Sequence, residues 1–143
     1  MTKPSSKGQA KAMQQSHKDD SIDNSEIALS NAHGTATPGN DSCESESIRR
    51  IFGHHADRVP VVANKSYFGH TLGASGALET IASVKMIENR KAPPNLNLEN
   101  PDPACDLNLV KSEPISIDIG PIMKNSFGFG GGNGVLIINP SRV

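Results

Sequence analysis

The chain has 143 residues, enough for one domain, with 35% apolar content, no Trp, one Tyr and a net charge of −1. A near-balance of charge with no long run of one sign excludes electrostatic binding of nucleic acid or of a membrane surface. No transmembrane span is present, and no signal-peptide apolar region follows Met1-Thr2-Lys3-Pro4. Two isolated cysteines, Cys43 and Cys105, suit neither a disulfide framework nor a metal spacing, which makes a reducing cytoplasm the expected setting.

Residues 1–10 carry no pattern, and residues 10–18 predict a short helix with a thin apolar stripe. A polar loop over 19–25 leads to a short strand at 27–30, which delivers the chain to Asn31 and His33. Pro38-Gly39 marks a turn. Asn40 or Asp41 can cap the next helix, with Glu44 in its first turn, and Gly53 stops it. His54 and His55 read as surface, because adjacent imidazoles converge poorly on one metal. Residues 59–63 read as a buried strand. The strongest helix runs from 73 to 89, with Leu78, Ile81, Ala82 and Met86, flanked by Ala77, Val84 and Ile87, as a broad apolar face. Arg90 and Lys91 sit at its negative end and Pro93-Pro94 ends it. Residues 95–114 are mostly loop, 115–119 alternate like a strand, and 122–125 with 135–138 form a final pair across a Gly-rich turn.

Three stretches carry chemistry. His33 and His70 each follow a strand and precede small residues, so each ring can face a cleft and donate an N–H to a carbonyl gaining negative charge, or move a proton near neutral pH. A lone histidine is more often structural; two of them beside a lysine and a glycine turn shift the balance to function. Lys65, at a strand end, can hold a carboxylate, tune His70 or act as a general acid, against the commoner case of a lysine that reaches solvent. The turn Asn125-Ser126-Phe127-Gly128-Phe129-Gly130-Gly131-Gly132-Asn133 lacks the Lys-Ser/Thr pair of a phosphate loop, and its two Phe residues point to an apolar ligand or a gate. No nucleophile is apparent: Cys43 lies among acidic residues and Cys105 in a Pro/Asp loop. Glu79, one turn into the long helix, suits a buried ion pair or an ion ligand.

Four motifs in series resemble the C-terminal half of a β-ketoacyl-acyl carrier protein synthase of the elongating, two-histidine type. They are Asn31-Ala32-His33-Gly34-Thr35-Ala36-Thr37-Pro38-Gly39-Asn40-Asp41, Lys65-Ser66-Tyr67-Phe68-Gly69-His70-Thr71-Leu72-Gly73-Ala74-Ser75-Gly76-Ala77, Pro93-Pro94-Asn95-Leu96-Asn97-Leu98-Glu99-Asn100-Pro101-Asp102 and Asn125-Ser126-Phe127-Gly128-Phe129-Gly130-Gly131. The resemblance implies an α/β fold, the C-terminal half of a thiolase-like five-layer αβαβα sandwich with a mixed sheet and flanking helices. Residues 1–26 would be a partly flexible N-terminal segment with a short helix, and 27–143 the synthase domain. It further implies that His33 and His70 bind a malonyl thioester and stabilise its enolate, with Lys65 supporting the pair. Phe129 would gate the acyl pocket and donate one oxyanion N–H, and Phe127, Thr35 and Thr37 would line the substrate path. Asn31, Glu79 and Asn125 match positions that surround a buried monovalent cation in some members; no other cofactor is implied. At Gly132 the family usually has Thr.

The family's nucleophilic Cys belongs to the other half of the fold. The resemblance therefore implies acyl carrier protein thioesters as partners, together with an N-terminal half or a thiolase-fold partner in a homo- or heterodimer. A non-catalytic, chain-length-factor-like partner or remnant is the alternative, and a small-molecule module built on the Gly turn ranks below both.

Overall fold

The computed structural model describes residues 3–141. Its centre is a four-stranded mixed sheet in the order β2-β1-β5-β6. Strand β1 (Leu29–Asn31) runs parallel to β2 (Val61–Val62) and to β5 (Ile122–Phe127), and β5 pairs antiparallel with β6 (Asn133–Ile138). Helices α1 (Ser6–Asp20) and α2 (Asn40–Phe52) cover one face and α4 (Ser75–Asn89) the other. A separate two-stranded ribbon joins β3 (Lys91–Ala92) to β4 (Ile115–Ser116).

Period-2 alternation in the sheet makes two cores. Met13, Ile27, Ile48, Phe52 and Met123 pack on the α1/α2 side. Leu29, Val62, Met86, Val110 and Ile122 pack on the α4 side. Thus Met123 and Ile122, neighbours in sequence, belong to different cores.

The expected helix over 10–18 is present but longer, and it belongs to the first core instead of standing apart. Ser5 caps it by accepting from the Gly8 N–H, and Ser21 ends it in the left-handed region. Its inward stripe is Gln9, Ala10, Met13, Ser16 and His17. Small and polar residues fill that stripe, and Gln9 bonds to Ser47 of α2 at 2.8 Å. Hydrophobic periodicity undercounts such a helix.

Other boundaries moved too. Neither Asn40 nor Asp41 caps α2; Gly39 precedes it without a side-chain cap. The strand expected at 59–63 shortens to two residues, and a one-turn helix α3 (Lys65–Phe68) follows it. Helix α4 ends before the prolines: Arg90 takes a left-handed cap at φ 52°, and Lys91 already belongs to β3. The strand expected at 115–119 keeps only its first two residues. Within the long loop, Asn95 acts as a clamp, accepting from the Ala63 N–H and donating to the carbonyls of Val61 and Val110.

The broad apolar face expected on α4 splits. Ser75, Glu79, Ser83 and Met86 face inward, whereas Leu78, Ile81 and Val84 are 39%, 59% and 37% exposed. Gly73 and Gly76 have open space where a Cβ would stand. The outer surface of α4 is therefore apolar, is thin at its start, and is left uncovered by the described residues.

Met13→Ala should destabilise the chain by about 2–5 kcal/mol in a denaturant melt, because Met13 is fully buried and its loss opens a cavity. A loss typical of an exposed helix position would detach α1 from the core. Gly34→Ala should also be costly: its φ is +44° and a Cβ there would stand 2.5 Å from that of Ala63.

Candidate active site

The site sits where the parallel strands end, the usual place for ligands in open α/β sheets. β1 runs directly into His33. β2 leads through Ala63 and Asn64 into Lys65, the first residue of α3. Gly69, at φ +73°, ends α3 and releases His70 just ahead of α4.

Lys65 is buried, and its ammonium joins three groups. It donates to the His33 carbonyl at 2.6 Å, lies 3.3 Å from His33 Nδ1, and pairs with a Glu79 carboxylate oxygen. An ammonium has no acceptor, so His33 Nδ1 accepts and the ring proton resides on Nε2. At His70, the Leu72 backbone N–H donates to Nδ1 at 3.2 Å, and Ser75 Oγ is 3.1 Å from the same atom. That contact again leaves the proton on Nε2. The two rings meet edge to face with centroids 5.6 Å apart, and neither Nε2 has a hydrogen-bond partner among the described residues. The result is two adjacent imidazole N–H donors.

Burial lowers the pKa of His33 to about 4, aided by the positive charge of Lys65 and by His70 and Lys124. His33 is therefore neutral at pH 7. Its ring is also packed by Phe127, with centroids 5.8 Å apart.

Glu44, read from sequence only as a first-turn acid, organises the His33 loop. Its carboxylate is 2% exposed and accepts from the His33 N–H at 2.8 Å, the Gly34 N–H at 3.0 Å, Asn125 Nδ2 at 3.0 Å and Asn40 Nδ2 at 3.2 Å. Burial pushes its pKa up, against the opposing pull of these donors. A signal was available: Glu44 lies one turn before buried Ile48, on the inward face of α2.

The remaining predicted residues divide. Thr35 and Thr37 bond to each other at 2.8 Å, and Thr35 joins Lys65 and His70 in lining a cavity of about 540 Å³ that is also lined by apolar Ile48, Val61 and Leu109. Phe129 stands 86% exposed on the glycine turn, away from the packed position of Phe127. Asn31 and Glu79 lie together: Asn31 Nδ2 donates to the Glu79 carbonyl and to Ser83 Oγ. Asn125 does not join them. It shares the α1/α2 face with Met123 and bonds Glu44 instead. The Glu79 carboxylate meets two ammonium groups, Lys65 on one oxygen and Lys124, 2.7 Å away, on the other. The residues present thus do not fit a free monovalent cation. Lys124 carried its own signal, a lysine on the Ile122 face of a central strand.

Neither cysteine is primed for attack. Burial pushes both thiols up, helped at Cys43 by Glu46 and Glu44 and at Cys105 by Asp41, Asp102 and Glu44. Among the described residues, no helix is long and apolar enough to cross a membrane.

Fold and site together define the C-terminal half of a thiolase-like fold. The chain belongs to the β-ketoacyl synthase family: residues 1–99 match its C-terminal domain. It is 46% identical over 136 residues to 3-oxoacyl-[acyl-carrier-protein] synthase 2 of Coxiella burnetii, covering 95% of this chain and 33% of that protein. A β-ketoacyl synthase from Burkholderia phymatum superposes with a TM-score of 0.94 at 43% identity, over 99% of this chain and 34% of that one. A type II polyketide ketosynthase, solved with its acyl-carrier protein, gives 0.94 at 33% identity, over 99% and 35%. The chain spans about a third of the length of the curated relatives it matches.

Because the folded pKa of His33 lies below its ordinary value, the unfolded state binds more protons between about pH 4 and 6.5. The contribution of His33 is thus complete above pH 6.5 and is lost as pH falls toward 4. An NMR titration should find the His33 ring neutral at pH 5.5. Glu44→Gln should lower stability by about 1–3 kcal/mol in a denaturant melt, since an amide cannot accept from both backbone N–H groups as the carboxylate does.

Proposed function

We propose that this chain supplies the malonyl side of a 3-oxoacyl-acyl carrier protein synthase active site, for decarboxylative Claisen condensation in fatty-acid synthesis. The observation that carries the reading is the Lys65–His33–His70 cluster, in which both Nδ1 atoms are engaged and both Nε2–H groups are free. When the C–C bond to the malonyl carboxylate breaks, carbon dioxide leaves and the electron pair moves onto the thioester carbonyl oxygen as an enolate. Two fixed imidazole N–H donors stabilise that developing charge without giving up a proton. The enolate carbon then attacks an acyl thioester, forming the new C–C bond and expelling a cysteine thiolate.

On this reading that cysteine comes from a segment outside this sequence, as in the family's N-terminal half; burial raises the pKa of both Cys43 and Cys105, away from the thiolate form a nucleophile needs. The bare outer face of α4 and the exposed Phe129 are where such a segment, an N-terminal half or a thiolase-fold partner, would pack. Acyl carrier protein delivers both thioesters, Thr35 and Thr37 flank the path of the malonyl arm, and Phe129 gates the acyl side. A cytoplasmic setting follows from that chemistry. Retention of Lys65 and both histidines favours a catalytic over a non-catalytic subunit.

The test is decarboxylation of malonyl-acyl carrier protein by the chain assembled with its cysteine-bearing segment. His33→Ala and His70→Ala should each reduce the rate by about 10²–10³-fold. Unchanged carbon dioxide release in both variants would remove the reading. Ketoacyl product from this chain with no cysteine-bearing partner would overturn the assignment of the nucleophile elsewhere.

A further inference from the structure

Lys124 is unused by the reaction just described, yet it is 1% exposed in the interior of the sheet. β5 has β1 on one side and β6 on the other, so the lysine cannot reach solvent along an edge. A lysine so placed needs a compensating partner. The register sets Lys124 beside Asn31 of β1, and alternation turns both toward α4. Its ammonium lies 2.7 Å from Glu79 Oε2, as a close ion pair, and also contacts Ser126 Oγ. The second Glu79 oxygen pairs with Lys65.

The neighbourhood has the donors of a cation site. It offers one fully buried carboxylate, a strand hydroxyl at Ser126, and the buried, unpartnered Oδ1 of Asn31. What differs is the occupant. An ammonium head carries one positive charge and three donors in the space of a small monovalent ion. With Lys65 counted, one negative charge already faces two positive ones, so a third cation would be repelled.

We propose that Lys124 is a tethered cation. Its ammonium holds the position against Glu79 that a free Na⁺, K⁺ or NH₄⁺ would otherwise fill, and the site assembles independently of those ions. A free ion acts by mass action, so its stabilisation rises with its concentration. A covalently attached one is always present. The inference does not rest on the condensing reaction, because it concerns the occupant of a carboxylate, not the chemistry beside it.

The experiment measures the melting temperature of the full chain at fixed ionic strength in tetramethylammonium, sodium, potassium and ammonium chlorides. The wild-type protein should melt at the same temperature in all four. Lys124→Ser, which vacates the position, should melt lower in tetramethylammonium chloride and recover, saturably, with a small cation. A wild-type melting temperature that rises with sodium or potassium overturns the proposal, as does a folded Lys124→Ser variant indifferent to the salt. Anomalous diffraction from wild-type crystals soaked in thallium(I) decides the matter should that variant fail to fold in any salt. No peak beside Glu79 Oε2 is expected, and a peak there overturns the proposal.

Discussion

The buried carboxylate of Glu79 is the constraint on which the site depends. It is fully buried on α4 and grips Lys65 of α3 and Lys124 of β5. Lys65 then passes the restraint to the carbonyl and ring of His33. Buried ion pairs contribute little net stability compared with apolar packing, but removing one member costs about 3–5 kcal/mol. Their value here lies in geometry. A helix, a one-turn helix, a strand and a loop are fixed to one another by two carboxylate oxygens.

A second carboxylate works from the opposite face of the sheet. Glu44 on α2 holds the backbone of the His33 loop and, through Asn125, the end of β5. The loop is thus held from below by Glu44 and from behind by Lys65. Neither clamp engages a free ring nitrogen. The Nε2–H groups stay available because the anchoring contacts use carbonyls, backbone N–H groups and Nδ1. Such separation of anchoring from reacting atoms pre-organises a site at little cost to its chemistry.

Much of this was legible in the sequence. The four motifs located His33, Lys65, His70 and the glycine turn, and the strand pair around that turn formed as expected, only longer. What escaped was short or was polar and buried. α3 has four residues, too few for periodicity to register. α1 packs through Gln9, Ser16 and His17 as much as through Met13, so its apolar stripe understated its place in the core. The register of β1 against β5 decides that Asn31 and Asn125 face opposite ways, and pairing between strands some ninety residues apart cannot be read along the chain. The partners of Glu44 and Lys124 are likewise remote in sequence, so neither role could be read along the chain.

The two faces of α4 answer to different physical demands, and this shapes how substitutions there are tolerated. Inward, Glu79 and Ser83 are recognised atom by atom, through paired oxygens and the amide of Asn31. No other side chain reproduces that set of contacts, so Glu79 and Ser83 admit little change. Outward, Leu78, Ile81 and Val84 present only shape and apolar area. Exchanges among Leu, Ile, Val and Met at those positions conserve what a neighbouring layer would read, typically at less than about 1.5 kcal/mol. Within a single helix, tolerance of substitution is therefore expected on one side only, the side that presents bare apolar area.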